Sequence, residues 1–225
     1  MERKTILWII AVAVVAFGLS FLFAPKAHRE PRTDLPWQIE VTNDGNSRVF
    51  DLTLNHSTIA DAIQKLGRSP EVGLFVSPEK VMNIEVYFDT VDLGGLRAKF
   101  VLSVSLPPEQ LQGMFDRSPR VEAIGDKRKK VALSTDDLNT VYMAPIATIT
   151  YLPATDLDEA LILKRFGEPT QKIRETGHDV VHWLYPDKGL DIGVSPTEKE
   201  VFQYIAPVDF DILKVPLVQS GTALD

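Results

Sequence analysis

The chain has 225 residues, 44% of them hydrophobic and 24% charged, a balance ordinary for a folded globular protein and unlike that of a disordered one. Its net charge of −7 disfavours nucleic acid as a partner, because neutralising phosphates needs a net basic face. The absence of cysteine excludes disulfides, thiolate catalysis, thiolate metal sites and a lipidated N-terminal cysteine.

In chain order the first feature is Thr5–Ala24, 20 residues without a charge. As a helix they reach about 30 Å, the thickness of a bilayer hydrocarbon core. Trp8 near one end and Phe21 and Phe23 near the other suit interfacial aromatic belts, and Pro25 stops the helix. A cleaved signal peptide is the competing reading, since Arg3 and Lys4 suit its basic start. The apolar run exceeds what such segments carry, and Ala24-Pro25-Lys26-Ala27 is a poor cleavage site. The expectation is an uncleaved signal anchor. Residues 1–24 become a cytoplasmic tail and transmembrane helix, in a single-pass inner (cytoplasmic) membrane protein whose remaining chain is periplasmic. Residues 25–37, with Pro25, Pro31 and Pro36 among charges, form an extended linker.

A first module is expected over 38–143. Trp37–Val41 alternates as a strand and Asp44-Gly45 turns. Thr58 followed by Asp61 has the pattern of a capping box, Ile59, Ala62, Ile63 and Leu66 recur at helical spacing, and Gly67 with Pro70 marks the stop. Met82–Asp89 and Leu96–Leu106 alternate on either side of Asp92-Leu93-Gly94-Gly95, which predicts a β-hairpin. Pro107-Pro108 ends it, and Leu111, Met114 and Phe115 suggest a short amphipathic helix. Stretches 121–124 and 130–133 suit short strands, and 135–138 a helical turn. The run Lys127-Arg128-Lys129-Lys130 opposes the acidic trend and suits a solvated loop or sheet edge.

A second module is expected over 144–225. Ala147–Leu152 alternates as a strand. Thr155-Asp156-Leu157-Asp158 opens a helix with an acidic first turn, Ala160, Leu161, Leu163 and Phe166 give its apolar positions, and Gly167 and Pro169 stop it. Strands follow over 180–185, 190–194 and 201–205, with Pro186-Asp187-Lys188-Gly189 as a type I turn. A capped helix, a glycine stop and antiparallel strands thus occur twice. Leu66-Gly67-Arg68-Ser69-Pro70 matches Phe166-Gly167-Glu168-Pro169. The expected fold class is α+β: a single N-terminal transmembrane helix followed by two small modules, each a short helix packed on an antiparallel sheet.

The acidic helix start, Phe166-Gly167-Glu168-Pro169 and Trp183-Leu184-Tyr185 on the next strand make residues 155–206 resemble the SmpA/OmlA family, small lipoproteins of the outer-membrane β-barrel assembly machinery. Tandem copies of such a unit are similar to the β-lactamase-inhibitor-protein architecture. Members of the family bind other proteins without catalysis, so the resemblance implies a binding module. This chain departs from the lipoprotein pattern in having no lipidation cysteine.

Candidate chemistry is sparse. His178 and His182 are four apart, but on a strand that spacing is about 13 Å, too far for one metal ion, so both suit a sheet surface. Glu175, His178, Asp187 and Asp191 form a nominal acid–base set outside any catalytic motif, expected on solvated loops and strand faces. No Gly-x-Ser-x-Gly elbow is present, and Gly94-Gly95 lacks the lysine and helix of a phosphate loop. Trp183, Tyr185 and Tyr204 are the candidate binding residues: exposed, they would form a hot-spot patch, and buried, they are core. The expected function is a non-catalytic, membrane-anchored module, not an enzyme, without cofactor or metal, that binds another envelope or membrane protein. The alternatives are a small-ligand or cell-wall-binding protein, or a hydrolase with its site between the modules.

Overall fold

The computed structural model describes residues 32–125 and 127–224. A small antiparallel ribbon comes first, β1 (Glu40–Val41), β2 (Ser47–Val49) and β3 (Leu52–Thr53). Then follow α1 (Ile59–Leu66), β4 (Glu71–Val76), β5 (Met82–Leu93), β6 (Leu96–Val104), α2 (Pro108–Asp116), β7 (Val121–Ile124) and β8 (Arg128–Val131). The second half holds α3 (Thr135–Met143), β9 (Ile146–Pro153), α4 (Glu159–Phe166), β10 (Gln171–Arg174), β11 (Val181–Tyr185), β12 (Leu190–Val194), β13 (Val201–Ile205), α5 (Asp211–Ser220) and β14 (Thr222–Leu224).

Eleven of these strands form one sheet, in the order β14-β10-β11-β12-β13-β9-β6-β5-β4-β8-β7. This corrects the expected fold class. The halves are not two modules on separate sheets, because β9 pairs with β13 on one side and with β6 on the other over seven registered residue pairs. The residues from Thr33 onward form one compact unit. The α+β content is as expected, with sheet predominating.

A second correction concerns the membrane. Among the described residues no helix is long and apolar enough to cross a bilayer. The segment 5–24 lies outside those residues. The transmembrane-helix part of the fold class, and the single-pass, signal-anchor and inner-membrane assignments built on it, therefore find no support among the described residues.

Local signals explain the elements. Thr58 caps α1: its Oγ1 accepts the Asp61 N–H at 3.2 Å, and Asp61 accepts the Thr58 N–H at 2.8 Å. Gly67 ends α1 with φ 64° and Gly167 ends α4 with φ 82°, both in the region where a β-carbon is penalised. The β5–β6 hairpin turns through Gly94 and Gly95, again at positive φ.

Alternation then sorts side chains to two faces. On one, α1 contributes Ile59, Ala62 and Leu66, α2 Met114, α3 Val141, and α4 Ile162 and Phe166. They cover Phe88, Phe100, Tyr151, Ile192, Phe202 and their neighbours. Phe50 enters from the ribbon at φ 55°, and its ring lies 5.1 to 5.4 Å from those of Phe100, Tyr151 and Tyr204. Such ring pairs each contribute about 0.5–1.5 kcal/mol beyond area burial. On the other face α5 lies over one end only, where Phe210, Leu213 and Leu217 meet Ile173, Leu184 and Ile205.

Candidate functional site

Trp183, Tyr185 and Tyr204 all belong to the core, at 2%, 3% and 0% exposure. They lie under the helices, where no partner reaches them. Lys172 sits 4.0 Å from the Trp183 ring centre, the Tyr185 hydroxyl donates to the Gly167 carbonyl at 2.9 Å, and the Tyr204 hydroxyl donates to the Pro36 carbonyl at 2.9 Å. Burial pushes the Tyr185 phenol up to about 12 and that of Tyr204 well above its ordinary value. Their polar tips are satisfied by backbone, which makes them structural rather than recognition groups.

The opposite face is different. Strand register places Asp191, Gln203, Thr150, Val101, Tyr87 and Glu71 in one row across six strands. The four between Asp191 and Glu71 are half-buried. α5 lies on this face, and α2 reaches its border through Leu111. At its far end Arg128, from the basic run, pairs with Glu85 at 2.9 Å and stands 5.1 Å from the Phe75 ring centre. The expectation for this run is a solvated loop or sheet edge, but Arg128, Lys129 and Lys130 lie on β8, which is flanked by β4 and by the edge strand β7.

α5 borders the row. Its lower side packs down through Leu213 and Leu217, but Ile212, Val215 and Val218 stand 67%, 45% and 50% exposed at a spacing of three. Ile212 also lines a groove of about 470 Å³ with Leu106, Leu111, Ser103 and Thr148.

Next to α5 the same face holds a cup of about 180 Å³. Here the expected acid–base set is corrected. Asp191 is not solvated but 2% exposed, and His182 is not a free surface histidine. His182 Nδ1 lies 2.8 Å from Asp191 Oδ2, and its Nε2 lies 3.7 Å from Glu175 Oε2. Glu175 Oε1 meets His178 Nδ1 at 3.1 Å. Asp187 stands apart, exposed in a short 3-10 turn. The cross-strand diagonal makes the pair: His182 faces Gly193, and Asp191 comes two residues before it on β12. Sequence distance hid this, although the alternation of β11 and β12 puts both on one face.

Burial alone would lower the His182 pKa, but the Asp191 hydrogen bond and charge, with Glu175 beside them, outweigh it and raise it. Burial pushes the Asp191 carboxyl up, opposed by His182. Two atoms of the pair, His182 Nε2 and Asp191 Oδ1, are buried without a hydrogen-bond partner. An aspartate-oriented imidazole is half of a general-base arrangement. On the cup wall the Ser195 hydroxyl is already engaged, accepting the Thr197 and Glu198 N–H groups. No cluster of three metal-binding side chains occurs among the described residues.

No protein-family model matches the chain, and neither a curated protein nor a solved structure matches it.

Proposed function

We propose that this chain is a non-catalytic protein-binding module that docks a partner on the α5-bordered face of its sheet. The carrying observation is the exposed stripe Ile212, Val215 and Val218 on a helix whose other side is already packed. A helix apolar on both sides is stable in water only at a cost, and in solved proteins it is normally covered on both. Single exposed apolar residues are ordinary, but a row of them beside a groove marks an interaction surface. The half-buried row through Gln203, Thr150, Val101 and Tyr87 extends that surface across the sheet. The likeness of residues 155–206 to the SmpA/OmlA family supports the same reading, as a proposal about fold and binding mode.

The test is photo-crosslinking in the source cell, with a benzophenone amino acid at Val101 or at Ile212, and at Gln64, exposed on α1 over the helix-covered face, as control. A single discrete adduct is expected from Val101 and Ile212 and none from Gln64. The pair Ile212→Asp and Val215→Asp lowers the Val101 adduct by about tenfold, the loss of one or two interface anchors. An adduct pattern identical at all three positions, or no adduct at any, defeats the reading.

A further inference from the structure

We infer that the cup between Glu175, His182 and Asp191 holds one guanidinium group, an arginine side chain carried by the protein partner. The inference rests on the docking reading above and names the chemistry of its anchor. Asp191 is only 2% exposed, it lines the cup, and its Oδ1 has no donor. A buried carboxylate oxygen without a donor is destabilising, so the site is incomplete as it stands. The missing partner must be a donor. With Nδ1–H donated to Asp191, the neutral His182 ring turns a lone pair at Nε2 toward Glu175. Asp191 Oδ1, His182 Nε2 and the Glu175 carboxylate thereby place unfilled acceptors on residues that line one cup.

Size and charge narrow the ligand. The cup, at about 180 Å³, is smaller than the range of about 300–1,000 Å³ that holds whole small molecules. It suits one side-chain head and part of its stem. Glu175, Asp191 and Glu198 outnumber Lys199 on its walls, and Lys199 is engaged with the Ala154 carbonyl and Asp156. A guanidinium fits better than an ammonium. It is planar and multidentate toward carboxylates, and its weak hydration lowers the cost of entering a buried site. The cup opens on the same face as the row led by Asp191, so an arginine from a partner seated there reaches it without a path through the core.

The experiment titrates the full chain with N-acetyl-arginine methylamide and follows the His182 ring resonances by NMR. A saturable shift is expected, with none from the neutral citrulline analogue and a weaker one from the lysine analogue. Glu175→Gln, at a partly exposed site where folding is safe, weakens the arginine response by about tenfold; Asp191→Asn, if it folds, abolishes it. The groups facing the ring are Glu175, His178, Asp191, Glu198 and Lys199. His178→Gln removes the second imidazole from the measurement. In that background the affinity rises as pH passes upward through the His182 titration, because the guanidinium replaces the Nε2 proton. Saturable binding with a flat pH profile places the probe elsewhere and overturns the site, as does equal response to citrulline. Saturation of the cup by the free analogue also suppresses the Val101 adduct. If the analogue binds but no adduct forms in cells, the cup recognises a free guanidine and the partner is wrong. If the adduct forms undiminished while the analogue never binds, the docking face stands and the arginine anchor falls.

Discussion

His182 and Asp191 lie nine residues apart in the chain and 2.8 Å apart in space, one imidazole nitrogen against one buried carboxylate. The folded pKa of His182 is raised above its unfolded value. A raised histidine contributes stability that is fully present below the unfolded pKa, about 6.5, and lost as pH rises through the folded pKa. Unfolding by urea is therefore expected to show stability declining from mildly acidic to mildly alkaline pH. His182→Gln flattens that slope, whatever constant loss it adds by leaving Asp191 unpaired. A variant that keeps the wild-type slope would assign the titration to another group.

At the level of single elements, caps carry much of the legible information. Thr58 and Asp61 satisfy each other's N–H groups, and Ser134 and Asp158 cap α3 and α4 through the Asp137 and Leu161 N–H groups. Thr58→Ala is expected to cost about 1 kcal/mol, read from the denaturation midpoint at unchanged urea dependence. Asp61→Ala follows in the same direction, since it removes the return bond of the box. By contrast α5 begins on Phe210 without a side-chain cap and carries Pro216, which has no N–H to give to the preceding turn. Those two features break the sequence signature of a helix, which is why no local signal marks Asp211–Ser220 as one. Packing of Leu213 and Leu217 on Ile173, Leu184 and Ile205 supplies what propensity does not. β4 lacks a local signature for another reason: Gly73 breaks its alternation, and the strand is defined by pairing with β5 and β8.

For the whole molecule, the decisive contact is the junction of β6 with β9, reinforced by Phe50 against Phe100, Tyr151 and Tyr204. One core spans both halves of the chain, so neither half can lose its packing alone. Unfolding followed by the fluorescence of Trp183 in the second half and by amide exchange of β5 in the first is expected to give coincident transitions. Two separated midpoints would restore the picture of independent modules. Tyr151→Ala, in the shared core, is expected to cost about 3–5 kcal/mol and to shift both probes together.

Most strands and four helices were written locally, in alternation over 82–89 and 96–106, in caps at Thr58 and Asp158, and in glycine stops at Gly67 and Gly167. Those signals act within a few residues and need no tertiary partner. How the two repeated units join was not local. Each predicts a helix on a sheet, but whether the sheets fuse depends on which edge strand finds β9, a choice made by long-range hydrogen bonding and a common core. The same holds for the site. Alternation puts Trp183 and His182 on opposite faces of β11, but it cannot say which face the helices cover. The tertiary structure put the helices over Trp183, burying the aromatic residues that sequence composition favours for binding. It left His182 and Asp191 on the face that α5 only partly shields, where a buried carboxylate oxygen still lacks its donor.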